Sequence, residues 1–510
     1  MEWSSEIATK NKRREILIMI FNFEELLVKI KRYNYQADFG LINKAYQFAC
    51  QAHTGQKRLS GENFINHPLA VASYLADWKL DSDSIVAGLL HDIVEDAGIP
   101  LEKIEKEFGK TIAILIDGVT KIGEIKLREN KTEEFVENLR KMILAMAKDL
   151  RVVLVKFADR LHNMQTLHFL PPKRQLKNAQ ETLEVYAPLS ERLGMGEMKG
   201  DLEDLAFPYV YPEKYKWLIE YSRPYFLKAE EFLEKATRKI YAELAEEGIK
   251  AKISSRSKYL YSLWRKLERP EIGNDIEKIY DLVAMRVLVE TVKDCYGALG
   301  IIHSIWKPVP WIGIRDFIAQ PKPNGYRSIH TNVFSFNERI LEVQIRTFEM
   351  HEEAERGIAA HWFYAYAKAG GASDQKLEKG IFAPDEKLSW VKQLVSWQNE
   401  VVDSKEYLEA LKFDALAHRI FVFTPKGDVY DLPQGATPID FAYAIHSDLG
   451  NEVTGAKVNG KMVALDFKLK SGDMVNIIRK ERNKPSEKWL RFVVTQQARH
   501  QILKHVRNKI

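Results

Sequence analysis

The sequence predicts three folding units of different class in one chain: all-α, then α/β, then a small β-grasp-like unit. Three observations carry this. Residues 1–200 run in amphipathic segments of helical period, such as LINKAYQFACQA, IVAGLLHDIVEDA and VLVKFADRLHNMQTL, with little period-two alternation. Beyond residue 250 the pattern changes to apolar or alternating stretches, LVAMRVLV, SIHTNVFSF and RILEVQIRT, interleaved with helices. Later, IFVFTPKGDVYDLP and AKVNGKMVAL each read as a hairpin, the second with Asn-Gly at its turn, on either side of a helix opened by Thr437-Pro438. A chain of 510 residues also exceeds what one hydrophobic core holds.

Composition narrows the function classes. The 76 basic and 71 acidic residues leave a net charge of +5, too balanced to argue nucleic-acid binding by charge alone. The two cysteines, Cys50 and Cys295, are far apart and form no CxxC. A disulfide scaffold and a cysteine zinc site are thereby disfavoured, and a cytoplasmic setting is expected. Lys10 to Arg14 is basic and ILIMIF (16–21) follows, but Glu24 and Glu25 close the run. An amphipathic helix fits better than an export signal. No window approaches the roughly 20 apolar residues of a membrane span, so no membrane partner is expected.

Taken in order, the helical unit covers 1–200. FPYVYPEKY (207–215) marks a break, and a charged helix, AEEFLEKATRKIYAELAEEG, runs to a Gly248 cap, making 201–250 a helical connector. The α/β unit occupies 251–368, with LVAMRVLV as a central strand and a long helix over EMHEEAERGIAAHWFYAYAK. Residues 369–417 hold a flexible linker, GGASDQKLEKG, and a connecting helix. The β-grasp-like unit spans 418–480. Residues 481–510 read as the start of a helical region that stops without a cap, as in a truncated chain.

The first candidate site lies in AGLLHDIVED. On one helix, His91 and Glu95, and Asp92 and Asp96, are i,i+4 pairs opposite an apolar face. Two readings are open: a solvated polar face, or a ligand set. Asn66-His67-Pro68 and FADRLHNM favour the second. His67, His91, Asp92 and Asp159 together suit a divalent transition metal. His53 and His162 read as structural.

The second lies around RILEVQIRT, where Glu342, Gln344 and Arg346 share one strand face. Such a row is expensive to bury without ligands or partners. Asp281, at the start of the LVAMRVLV strand, supplies a second carboxylate of the kind that holds Mg²⁺ with nucleotide phosphates. The alternative pairs Glu342 with Arg346 in a structural network. SSRSKYLYSLWRKL contributes Arg256, Lys258, Arg265 and Lys266. Lys258, Ser262 and Lys266 recur every four residues, as a triphosphate-binding helix face or an ordinary solvated one. PKPNGYRSIHTNV offers Lys322, Tyr326 and His330 around a turn, where the tyrosine stacks on a base or caps a core.

The order H…HD…D resembles the HD-domain phosphohydrolases. RLSGENFINHP, HDIVEDAG and FADRLHNM more closely resemble the hydrolase domain of the long Rel/SpoT-type alarmone enzymes, which make and destroy guanosine tetra- and pentaphosphate. The resemblance implies Mn²⁺ on His67, His91, Asp92 and Asp159, with Glu95 and Asp96 at the attacking water. It also implies Arg58 packed on the guanine and Asn163 holding the nucleotide. Leu59 departs from the family's basic residue at that place. SRSKYLYSLWRKL, YDLVAMR, PKPNGYRSIHT and LEVQIRT resemble the same family's nucleotidyltransferase-like synthetase domain. That implies Asp281 and Glu342 at Mg²⁺, with Glu342 also activating the 3′-OH, and Tyr326 stacking on GDP or GTP. Arg256, Lys258 and Lys266 would contact ATP, and Ser262, Arg315, Lys322, His330 and Gln344 would line the substrate site. Gly313-Ile314-Arg315-Asp316 keeps one of the family's two basic loop positions, which leaves metal and GDP-versus-GTP preference open.

IFVFTPKGDVYDLPQGATPIDFAYAIHSDLG resembles a TGS domain. The resemblance implies that His446 meets the acceptor end of uncharged tRNA on the ribosome; a packing role on its helix stays open. The family continues beyond the equivalent of residue 510 into regulatory modules. The implied activity is bifunctional: pyrophosphoryl transfer from ATP to GDP or GTP, and hydrolysis of the product, with a reciprocal switch through residues 200–250. Two alternatives remain, a chain that is chiefly a hydrolase, and a tRNA- or ribosome-responsive binding protein with vestigial sites. Monomer and homo-oligomer are both compatible with the sequence.

Overall fold

The computed structural model describes residues 21–123, 141–146, 148–322, 325–360, 419–480 and 483–507. These fall into two units, one from Met1–Asp316 and Ser328–Val391, the other from Phe317–Arg327 and Lys392–Ile510. The helix expected over 16–21, the 370–380 linker and the 385–415 connecting helix lie outside the described residues.

The first unit opens with α1 (Phe23–Tyr33), α2 (Phe39–Ala52), α3 (Asn66–Asp77), α4 (Ser82–Leu90), α5 (Ile93–Asp96), α6 (Leu101–Phe108) and α7 (Lys110–Gly123). It continues with α8 (Arg151–Gln165), α9 (Pro172–Glu181), α10 (Ala187–Arg192), α11 (Gly196–Val210) and the long α12 (Pro212–Glu246). Side-chain caps set several starts: Asn22, Asp38 and Asp81 each accept a first-turn amide. α3, α4 and α8 form the centre. Leu75, Ile85, Leu89, Leu154 and Phe157 are fully buried there, each contributing roughly 1.5–3 kcal/mol of hydrophobic stabilisation.

The α/β part follows as β1 (Ala251–Ser257), α13 (Leu260–Leu267), β2 (Val283–Val289), α14 (Val292–Ile305), β3 (Arg315–Asp316), β4 (Ile329–Phe334), β5 (Ile340–Thr347) and α15 (Phe348–Arg356). The sheet order is β1-β2-β5-β4-β3. β2 and β5 pair in parallel with Ala284 opposite Glu342, and the other pairs are antiparallel.

The second unit holds β6 (Arg419–Phe423), β7 (Val429–Pro433), α16 (Pro438–Ile445), α17 (Ser447–Asn451), β8 (Val453–Val458), β9 (Lys461–Val463), β10 (Val475–Arg479) and α18 (Gln496–Arg507). Thr437 and Asp440 make a reciprocal capping box on α16, as the Thr-Pro start implies. Asn459 and Gly460 take the positive φ angles that a tight Asn-Gly hairpin needs.

Five local expectations are corrected. AGLLHDIVED is not one helix: α4 stops at Leu90 and α5 restarts at Ile93, with His91 and Asp92 between. The His91 imidazole takes the Gly88 carbonyl at 2.9 Å, the acceptor that a continuing helix offers to Asp92. Lys258 precedes α13 in extended backbone, so it shares no helix face with Ser262 and Lys266. The middle strand is β5, with β2 beside it. The charged helix expected from residue 229 begins at Pro212, because Pro at N1 starts a helix well. The helix after β5 is capped at Gly357, whose φ of +54° suits glycine and ends the turn.

Candidate active sites

In the helical part, three elements aim their polar ends at one buried volume. His67 stands in the first turn of α3, His91 and Asp92 at the α4–α5 break, and Asp159 in the middle of α8. Ligand atoms of His67, His91 and Asp159 lie within 4.8 Å of one another. Asp92 adds Oδ2 at 3.2 Å from His67 Nε2 and Oδ1 at 3.0 Å from His91 Nε2. The two Nε2 atoms face each other at 3.2 Å. Such a convergence of imidazole nitrogens and carboxylates needs positive charge at its centre. Burial works against charge on His91, yet Asp92 overturns it and raises the imidazole to about 9. Burial likewise works to raise Asp159, and Lys156 at 2.8 Å leads the cations that hold it well below the usual range. The donor set fits a divalent cation of intermediate softness.

Glu95 and Asp96, on α5, are exposed beside this volume. Partial burial raises both carboxyls; Asp92 adds to the effect in each case, and Lys156 opposes it at Glu95. Carboxyls so shifted are better bases at neutral pH than ordinary surface acids. Arg58 reaches the same rim, donating to Asn163 Oδ1 at 2.8 Å and contacting His162 Nδ1 at 2.8 Å. His162 is not the remote packing residue its sequence suggested: its Nδ1 is 2.8 Å from His67 Nδ1. Burial, then His67 and Arg58, press its imidazole down to about 2, so it is neutral. His53 is buried and stacked on Phe64, in keeping with a structural role. Lys156 was missed by the sequence reading, although its i,i+3 spacing to Asp159 was the available signal.

On the α/β sheet the acids occupy two strands. Asp281, just before β2, is gripped by Lys258 at 2.6 Å and Lys266 at 2.7 Å. Burial works to raise it, but Lys258 first and Lys266 next bring it to about 2. Glu342 on β5 meets His330 Nδ1 at 3.0 Å, Gln344 Nε2 at 3.2 Å and Arg315 at 3.6 Å. It does not pair with Arg346, which turns to Glu355 at 2.8 Å. Ser262 donates to Glu203 of α11 rather than joining the two lysines. Arg256, Arg286 and Arg346 instead surround Glu355: against burial, Arg286 above all holds that carboxyl at about 2. Only the arginines of this cluster had a sequence signal. Lys322 and Tyr326 belong to the second unit, where the Lys322 ammonium lies 5.0 Å from the Tyr326 ring centre and 5.8 Å from that of Phe421.

His446 lies between α16 and α17, not inside a helix. Its side chain is 68% exposed, which removes the packing alternative, and Nδ1 accepts from the Asp448 amide at 3.2 Å. Among the described residues no helix is long and apolar enough to cross a membrane.

A helical domain closed around a buried His/His/Asp set, followed by a mixed sheet and a small β-grasp unit, defines an HD-domain protein with two added modules. Residues 45–196 match the HD domain, 255–369 the region found in RelA / SpoT proteins, and 420–479 the TGS domain. With these three in this order, the chain belongs to the RelA/SpoT family. It is similar to a GTP pyrophosphokinase of Myxococcus xanthus (46% identity over 93% of this chain and 61% of that protein). It is similar to a guanosine-3′,5′-bis(diphosphate) 3′-pyrophosphohydrolase of Aquifex aeolicus (45%; 90% and 64%). A third relative is the bifunctional (p)ppGpp synthase/hydrolase RelA of Mycobacterium tuberculosis (44%; 94% and 64%). The chain thus spans under two thirds of the length of these relatives.

Proposed function

We propose that the chain is a bifunctional alarmone enzyme: it transfers pyrophosphate from ATP to the 3′-oxygen of GDP or GTP, and it hydrolyses the product back to GDP or GTP plus pyrophosphate. The observation that carries this is the presence, in one unit, of two separate acid sets with different partners. One is buried among imidazoles and the other is gripped by lysines. We assign hydrolysis to residues 1–200, synthesis to 251–368, and tRNA or ribosome recognition to the TGS module at 418–480.

For hydrolysis, His67, His91, Asp92 and Asp159 would hold Mn²⁺, whose mixed nitrogen and oxygen preference suits them better than Mg²⁺ does. Bound there, the ion supplies charge neutralisation and an acidified water. Glu95 or Asp96 takes the proton as water oxygen adds to the 3′-linked phosphorus. The bond from that phosphorus to O3′ breaks, and the pyrophosphate leaves. Arg58 and Asn163 position the nucleotide.

For synthesis, Asp281 and Glu342 would hold Mg²⁺ with the ATP phosphates completing its shell. Lys258 and Lys266, now on Asp281, turn to the triphosphate as it enters. Glu342 accepts the 3′-OH proton while O3′ attacks the β-phosphorus and AMP leaves. Positioning and charge neutralisation supply most of the acceleration. Arg256 contacts ATP; Gln344, His330 and Arg315 hold Glu342 in place; Tyr326 and Lys322 serve the acceptor nucleotide. His446, exposed, meets the tRNA end.

The test is a crossed pair of variants. Asp92→Asn should abolish release of pyrophosphate from guanosine tetraphosphate with Mn²⁺ and spare product formation from ATP and GDP with Mg²⁺; Asp281→Asn should do the reverse. Loss of both activities in either variant, or of neither in both, rejects the assignment.

A further inference from the structure

The structure assigns His162 and Asn163 to the metal pocket as positioning residues: a fork from Arg58 fixes which atoms of these two neighbours face the ligands His67 and Asp159. The inference rests on the proposed metal role of the pocket and adds to it residues that touch neither metal nor water.

The argument is one of donor direction. A guanidinium can only donate. Its Nη1 is 2.8 Å from His162 Nδ1, so that nitrogen must carry a lone pair, and the His162 proton sits on Nε2. The same Nδ1 is 2.8 Å from His67 Nδ1. Two lone pairs cannot face each other there, so His67 carries its proton on Nδ1 and directs Nε2 into the pocket. The second arm repeats the logic. Arg58 Nη2 donates to an Asn163 oxygen at 2.8 Å, which turns the amide nitrogen toward Asp159 Oδ1. His91 reaches the same tautomer by another route, its Nδ1 donating to the Gly88 carbonyl at 2.9 Å.

His162 and Asn163 are adjacent on α8, one turn beyond Asp159, and α8 is buried along its inner side. That places one residue behind each of two ligands from different helices. Partners of this kind fix the tautomer and orientation of a metal-binding imidazole, and their loss typically costs 10–100-fold in metal affinity.

The test reads Mn²⁺ affinity of the full chain without nucleotide, by electron paramagnetic resonance, on an Asp281→Asn background so that only the helical pocket responds. His162→Phe keeps the ring and removes the acceptor; its Kd should rise about 10–100-fold. His162→Asn places an oxygen where Nδ1 was and should stay within about threefold of the parent, a rescue that packing alone does not give. Arg58→Met should weaken binding, whereas charge alone predicts the opposite, because a cation near the site has been removed. A cooperatively melting His162→Phe chain with parental affinity overturns the inference. So does His162→Asn as weak as His162→Phe, or Arg58→Met that binds as tightly as the parent or tighter, the deciding result should His162→Phe not fold. A parent chain that binds no Mn²⁺ overturns the metal role itself, and the inference with it.

Discussion

Arg346 has 1% of its surface exposed and shares Glu355 with Arg286. Removing one partner of a buried pair strands the other charge. Glu355→Ala should therefore lower unfolding free energy by roughly 3–5 kcal/mol in a denaturant titration. The pH dependence follows from the direction of the shift. The carboxyl is depressed from 4.5 to about 2, so its stabilisation is complete above pH 4.5 and is lost as pH falls toward 2. Glu355→Gln should flatten that acid limb; an unchanged slope would show that the pair is not coupled to folding. The alternation in RILEVQIRT correctly placed Glu342, Gln344 and Arg346 on one face. It could not give the partner. Four residues along a strand separate two side chains by roughly 13 Å, beyond ion-pair reach, so Arg346 must look to an element that folds back over it. Likewise the HD motif named both ligands but hid the helix break, since nothing local to the sequence shows His91 taking the Gly88 carbonyl.

At the scale of elements, α11 presents residues 200, 203, 204 and 207 along one face to the start of α13. Tyr259 lies against Gly200, where a Cβ would meet its ring at 2.2–2.4 Å. Asp204 accepts from the Leu260 and Tyr261 amides at 3.1 and 2.8 Å, and Phe207 stacks on Trp264 at 5.1 Å. α13 carries Lys266, so this clasp sets where a triphosphate cation stands. Asp204→Ala should cost about 0.5–2 kcal/mol as a lost cap. It should also raise KM for ATP in synthesis while leaving hydrolysis intact; an unchanged KM would count against positioning by α11. Glu203, beside Ser262, is raised from 4.5 to about 7 by burial, with Lys199 opposing. A raised acid keeps its proton in the fold, so it costs nothing below 4.5 and destabilises increasingly as pH rises through 7. Glu203→Gln should stabilise the chain at pH 8 by up to roughly 3 kcal/mol, with the gain shrinking toward pH 4.5 in thermal melts. Sequence marked the break at Tyr211 and the connector, but it gave this interface no signal. The spacing 200, 203, 204, 207 mixes Gly, two acids and Phe, and becomes a face only once Tyr259 and Trp264 are set against it.

Across the whole first unit, the helical part and the sheet meet at α15 as well as at α11. The Ile358 amide donates to the Leu193 carbonyl at 3.0 Å, and Lys79 of the helical part pairs with Glu352 at 3.0 Å. A Cβ on Gly357 would fall 2.3–2.6 Å from the backbone of residues 193–195. α15 itself leaves β5, the strand of Glu342, and carries Glu355 under Arg286 and Arg346. An element tied at one end to the synthetase strand and at the other to the helices after α8 can transmit a shift between sites only if its packing has two discrete arrangements. Two opposed activities in one unit would otherwise waste ATP, so nucleotide in one site is expected to disfavour the other. GDP with a non-hydrolysable ATP analogue should slow release of pyrophosphate from guanosine tetraphosphate, by the 5- to 150-fold that roughly 1–3 kcal/mol of coupling gives. Gly357→Ala, forced off its +54° φ and into that backbone, should blunt the response while each activity persists alone. Hydrolysis indifferent to the analogue in the parent chain would reject the switch. An unblunted response in Gly357→Ala would leave the switch standing and move it from α15 to the α11 clasp.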